Sequence, residues 1–142
     1  MKKKINISKA KERAWDAFGR FIRLRDSLKT CHNNYQCMCV TCNKPRPTWG
    51  IGCIQAGHFI PGRGNAVLFD EEQVNGQCYV CNIRLKGNWV EYERVMVARH
   101  GKARVEEMKL MANQSIKYTI QDYLDVETVY LQKIVDLGGI PA

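Results

Sequence analysis

Gln55-Ala-Gly-His58-Phe-Ile-Pro61-Gly-Arg63 decides the fold because of what brackets it: Cys39-Val-Thr-Cys42 on one side and Cys78-Tyr-Val-Cys81-Asn82 on the other. Two C-x-x-C pairs separated by 35 residues match a four-cysteine zinc site. Each pair sets two thiolates on a tight turn, and four soft, anionic sulfurs complete a tetrahedron around Zn²⁺. A closed shell of four thiolates leaves no position for water, so the expected zinc is structural. The alternative is a set of unrelated free thiols. Cys37, two residues before Cys39, competes for a place in the first pair, whereas Cys31 and Cys53 read as spare thiols.

Around these knuckles, residues 31–88 carry little helical pattern and much Cys, Gly, Pro and Asn. Strand-like runs occur at 53–60 and, weakly, at 66–69, with turn signals at 44–47 and 61–65. A segment with so few large apolar residues cannot hold itself together by burial, and a bound metal supplies the missing staple. The flanks are helical. Upstream, Ala14, Ala17, Phe18, Phe21, Leu24 and Leu28 recur at helical spacing, with Trp15 and Ile22 widening the apolar face and Ser8 as the expected N-cap. Downstream, Asn88 is placed to cap a helix over 89–100 ended by Gly101, a second helix covers 102–112, and a third runs over 119–136 and stops at Gly138–Gly139. The expectation is an α+β fold within one compact domain: a basic N-terminal helix (1–30), a zinc-stapled core (31–100) and a C-terminal helical extension (101–142).

Charge is uneven. The 142-residue chain has a net charge of +8, and residues 1–30 hold ten Lys/Arg against three acids. Such a segment points to a polyanion, nucleic acid first, since each neutralised phosphate releases counterions. No run approaches the ~18 apolar residues of a membrane span, and no apolar stretch follows the basic start to make a signal peptide, so a cytoplasmic protein without membrane contact is expected.

Zinc knuckles placed this way clamp the strand bearing His58 to the turn bearing Asn82, bringing two distant polar residues to one face. This is the layout of the ββα-metal (HNH) nuclease site, and the chain resembles an HNH endonuclease core. More closely, it is similar to the NinG (Rap) recombination proteins of lambdoid phages. The similarity rests on Trp15-Asp-Ala-Phe18 with Arg23-Leu-Arg25-Asp26, on both knuckles, on the stretch 55–63, on Asn65-Ala-Val-Leu-Phe-Asp70-Glu71, and on Cys81-Asn82 with Leu85-Lys-Gly-Asn88. It covers roughly residues 10–110.

The resemblance implies binding and cutting of branched DNA, of Holliday-junction or D-loop type, during phage recombination. It casts His58 as general base, Asn82 as a ligand to a catalytic Mg²⁺ or Mn²⁺, and Asn75 as the middle asparagine that orients the histidine, with Asn65 its rival. An unperturbed imidazole, titrating at about 6.5, suits a base at neutral pH. One departure stands out: the position before the histidine, usually a metal-binding Asp or His, is Gly57. A hard cation wants carboxylate oxygen, which Asp70, or second Glu71, is the candidate to supply; alternatively His58 itself binds the metal and the base lies elsewhere. Arg13, Arg20, Arg23, Arg63, Arg84 and Lys86 are the expected DNA contacts, positioning phosphates without reading sequence. Trp49, Trp89 and Tyr79 are expected in the core rather than stacked on bases. His32 and His100 read as incidental. The competing function is a non-catalytic zinc protein that binds junctions and recruits recombination machinery, for which Gly57 is the best argument. A homodimer would suit the coordinate cutting of two strands.

Overall fold

In the computed structural model of the chain, residues 4–60 and 65–141 are described. A 25-residue helix, α1 (Ile7–Cys31), opens the fold and buries Ala10, Ala14, Ala17, Phe18, Phe21, Ile22 and Leu24 along one face. Its N-cap is Asn6, not Ser8: Asn6 is extended and its side chain accepts from the Lys9 amide at 2.8 Å, so Ser8 already lies inside the first turn. The closing helix, α4 (Ile120–Asp136), starts on a capping box in which Thr119 and Asp122 satisfy each other's backbone amides. The two helices pack side by side and run the same way. Tyr123 meets Ala10 and Ala14, Arg13 reaches Glu127, and Tyr130 sits edge-on to Phe18 with ring centroids 4.8 Å apart.

Two short hairpins lie between these helices in sequence. Strands β1 (Gln36–Met38) and β2 (Pro45–Pro47) pair antiparallel, and the first cysteine knuckle is their connecting turn. Strands β3 (Gln55–His58) and β4 (Val74–Gln77) pair antiparallel with Gln55 opposite Gln77, Gly57 opposite Asn75 and His58 opposite Val74. Residues 53–60 therefore contain a strand as expected. The run 66–69 does not: Asn65–Val67 forms a single 3-10 turn, and the partner strand is Val74-Asn-Gly-Gln77. All four residues of β4 are buried, so no apolar/polar alternation marks it; its polar side chains are bonded within the protein instead.

The interior hydrogen bonding centres on Asp26 of α1. One carboxylate oxygen accepts from the Gly76 amide at 2.6 Å, and the other from Arg25 Nε at 2.8 Å. Arg25 in turn donates to the carbonyl oxygens of Glu71 (2.7 Å) and Val74 (2.9 Å). Gly76 allows this approach, since a Cβ there would stand 2.9 Å from Cys37 Sγ. After the second knuckle come α2 (Trp89–His100) and α3 (Lys102–Met111), separated by Gly101 at φ 85°. Their Tyr92, Met96, Val105 and Met108 form a second core with Val40 and Phe59. The segments separable by sequence thus share interiors: Phe18, Val74 and Tyr130 belong to one cluster. No helix among the described residues is long and apolar enough to cross a membrane.

Asp26→Ala would strand the buried Gly76 amide and take one of several partners from the Arg25 guanidinium. It is expected to destabilise the fold by about 3 kcal/mol, read by denaturant unfolding of zinc-loaded protein; a change below about 0.5 kcal/mol would remove Asp26 as the joint between α1 and β4.

Candidate metal centre and adjoining groove

The sulfurs of Cys39, Cys42, Cys78 and Cys81 all lie within 4.8 Å of one another, and three of the four residues are buried. The β1–β2 turn delivers the first two. The end of β4 and one turn of π-helix, Val80–Arg84, deliver the others. None is in a disulfide. Backbone amides point at the cluster, from Cys78 to Cys39 Sγ at 3.3 Å and from Cys81 to Cys78 Sγ at 3.5 Å. Burial opposes ionisation of Cys39, but the amides of Cys42 and Cys78 and the Thr41 hydroxyl outweigh it and bring the thiol down to about 6. Burial pushes Cys78 up to about 12, and raises Cys42 too. Four sulfurs this close cannot all ionise by themselves, whereas one divalent cation makes four thiolates mutually compatible. The donor set can thus hold a structural metal such as zinc. Cys37 is not one of the four: burial first, then Asp26, drives its thiol up to about 12, and its Sγ donates to the Met38 carbonyl at 3.6 Å.

His58 ends β3, half-buried. Its Nε2 lies 3.2 Å from the Leu68 carbonyl oxygen, and its ring stacks on Trp15 of α1 with centroids 5.1 Å apart and planes 15° from parallel. Trp15 can reach the strand because α1 crosses β3 at a small pair, where a Cβ on Gly19 would lie 3.9 Å from that of Ala56. Beside this crossing is an open groove of about 690 Å³, whose walls include Trp15, Arg20, Arg23, Gln55, Ala56 and Asn82. Asn82 donates to Gln55 Oε1 at 2.8 Å. Asn82 thus lines the groove beside Gln55, whereas His58 is not among the lining residues: it projects from the other face of β3, stacked on Trp15 of the groove wall.

Asn75 is 5% exposed, and its amide is fully engaged: Nδ2 donates to the Tyr92 hydroxyl (3.1 Å), while Oδ1 accepts from Arg25 and Arg99 (both 3.3 Å). Tyr92 passes the bond on, donating to the Gly57 carbonyl at 2.7 Å, so the backbone just before His58 is held from beneath. Both Asp70 oxygens are taken by its own turn, one by the Glu72 amide and one by Gln73 Nε2, each at 3.0 Å. Glu71 accepts from Lys133 and Tyr130 of α4. Position 57 is closed to any side chain: a Cβ there would fall 2.2 Å from Gln77 Oε1. The Gln77 amide nitrogen is fixed by Thr41 and the Gly87 carbonyl, which leaves that buried oxygen without a hydrogen-bond partner.

The basic residues divide. Arg13 is held bidentately by Glu127 (2.7 and 2.9 Å) and Arg20 pairs with Asp16 (2.6 Å). Arg23 lies 4.9 Å over the Trp49 ring. Among the described residues, Arg23, Arg84 and Lys86 have no carboxylate partner; Arg63 and the Asn65 side chain lie outside the described residues. Tyr79 and Trp89, expected in the core, are exposed. His100 ends α2 with Nδ1 3.8 Å from Glu72. Sequence reasoning did not find Trp15, Gln55 or Tyr92 as supports of this site. The one signal was Gly19, a poor helix former in mid-helix, which marks a close approach.

The chain matches the family model described as Bacteriophage Lambda NinG protein over residues 1–138. It is 28% identical over 127 residues to Protein ninG of Escherichia phage lambda and of Escherichia phage 933W, covering 89% of this chain and 56–57% of theirs. To Protein ninG of Enterobacteria phage H19B it is 30% identical over 83 residues, covering 58% of this chain and 41% of that one. The chain thus spans little more than half the length of the curated relatives it matches over most of its own. No solved structure matches it.

Cys81→Ser is expected to abolish zinc retention and unfold residues 31–88, whereas Cys31→Ser leaves both intact; metal analysis with thermal melting reads the outcome, and unchanged zinc in Cys81→Ser would break the ligand set. Because Cys42 and Cys78 begin as thiols, zinc loading at pH 7 should release a proton from each. Calorimetry in buffers of different ionisation enthalpy measures that release.

Proposed function

The chain belongs to the NinG family of lambdoid phages, and on that footing we propose that it is a metal-dependent endonuclease hydrolysing phosphodiester bonds in branched recombination-intermediate DNA, with an HNH-like core. The observation that carries the reading is the setting of His58. A carbonyl oxygen only accepts, so a hydrogen bond across the 3.2 Å contact with Leu68 has Nε2 as its donor. Trp15 fixes the plane of the ring. An imidazole oriented by these contacts suits the role of a general base that takes a proton from water as that water attacks phosphorus.

Asn82 is the protein ligand for a second, hydrated ion, Mg²⁺ or Mn²⁺. Its Nδ2 is committed to Gln55, which leaves Oδ1 for a cation. Among the described residues the four cysteines are the one cluster of three or more acid, His or Cys ligands, so a second ion would be held by Asn82, water and the substrate's own phosphate, a habit Mg²⁺ tolerates. When bound, such an ion stabilises charge on the leaving 3′ oxygen. Gln77 leaves no room for a side chain at Gly57, and the same observation supports the rival reading, a junction-binding protein without catalysis. Arg23 in the groove, with Arg84 and Lys86 close to Asn82 in sequence, supplies phosphate contacts that suit recognition by shape.

A synthetic four-way junction incubated with zinc-loaded protein and Mg²⁺ or Mn²⁺ separates the readings. The wild type is expected to cut, and His58→Ala to cut at least about 100-fold more slowly. Equal cutting by both would remove His58 from the chemistry; binding without cutting by the wild type would install the rival.

A further inference from the structure

The turn that follows Cys78 is not built like the rest of the surface. Tyr79, Ile83 and Leu85 are 51%, 51% and 53% exposed, and Val80 beside them is exposed as well. Four large apolar side chains within seven residues leave an apolar ridge facing water, of a kind that marks a binding surface. The ridge is also rigid. Its root is held by Cys78 and Cys81 of the sulfur cluster, Leu85 N donates to Val80 O at 2.8 Å, Gly87 N donates to Cys81 O at 2.9 Å, and Asn88 Nδ2 reaches Cys81 Sγ at 3.6 Å. Its backbone takes one turn of π-helix and then two non-glycine residues, Lys86 and Asn88, at φ 52° and 45°. Such conformations are costly and cluster at functional sites.

Charge identifies the occupant. From Gln73 to Val90 there is no acidic residue, and Arg84 and Lys86 stand exposed on the ridge itself. A second copy docking through the same patch would set Arg84 and Lys86 against their own images, which disfavours self-association. A ligand both polyanionic and apolar on its faces fits: nucleic acid whose bases are unstacked. Asn82 lies in the same turn, between Tyr79 and Ile83 in sequence, so a strand held on the ridge would pass the groove.

We propose that the Tyr79–Leu85 ridge is a wedge that seats against unstacked bases at a DNA branch point, with Arg84 and Lys86 on the adjoining phosphates. This deepens the nuclease reading by naming what makes the substrate branched rather than linear: in a continuous duplex the base faces are occupied by each other, whereas a branch point offers them at low cost.

The test uses zinc-loaded full chain with no chelator and no added Mg²⁺ or Mn²⁺, so binding is measured without cutting. A four-way junction and a linear duplex of the same sequence each carry 2-aminopurine, at the branch point or the equivalent position. The wild type should bind the junction more tightly and brighten its 2-aminopurine. Ile83→Ser/Leu85→Ser, with zinc content verified, should lose about tenfold in junction affinity and the brightening, while duplex affinity stays within about twofold. Arg84→Gln should weaken both substrates alike. Equal junction binding by wild type and the double variant overturns the wedge, as does a wild type that neither prefers nor brightens the junction. Sedimentation showing a wild-type dimer that the double variant dissociates, with DNA binding unchanged, reassigns the ridge to a second copy. Ridge-dependent brightening by a protein that never cuts when Mg²⁺ is added sinks the nuclease reading and leaves the wedge standing.

Discussion

Four sulfurs from two separate hairpin ends converge within 4.8 Å, and the rest of the middle segment depends on that convergence. The strands concerned are three or four residues long, too short to be stable as isolated hairpins. Left as thiols, Cys42 and Cys78 share only a weak S–H···S contact at 3.8 Å. A divalent cation would give far more cohesion, fixing the β1–β2 turn to the end of β4 and to the π-helical turn that carries Asn82. Around this joint the two apolar cores do ordinary work: α1 with α4, and α2 with α3.

Asp26 and Tyr92 extend the joint toward His58 from opposite sides. Asp26 grips β4 at Gly76, and Tyr92 grips β3 at Gly57, one residue before the histidine. Neither touches the imidazole. Each fixes the backbone from which it projects, and Trp15 completes the setting from α1. The same close packing leaves no room for a side chain before His58. The space a side chain would need at position 57 is filled by Gln77, whose amide is locked by Thr41 and Gly87. If the chain hydrolyses DNA as proposed, it does so with fewer protein ligands on the second ion and more reliance on the substrate's phosphates.

Much of this was legible in the sequence where local chemistry decides the outcome. The two C-x-x-C pairs announced the sulfur cluster, and Gly101 marked the end of α2 because that end needs a residue with little backbone restriction. What stayed hidden was decided by distant partners. Val74–Gln77 is a strand without alternation because both its faces are buried, and Asn6 displaced Ser8 as cap by one hydrogen bond. Trp15 looked like core on periodicity; only the Gly19–Ala56 crossing turns it toward His58. Tyr79 and Trp89 were expected inside by the usual fate of aromatic side chains. The rigid turn after Cys78 holds Tyr79 outside, and Trp89, at the start of α2, is also exposed.

The central claim is that one ion bound by four thiolates sets the geometry of everything near His58 and Asn82. X-ray absorption spectroscopy at the zinc edge of the purified, metal-loaded protein tests it most directly. The expected result is a shell of four sulfurs at about 2.3 Å. A shell containing nitrogen or oxygen, or an absence of stoichiometric metal with the cysteines oxidised to disulfides, would contradict it.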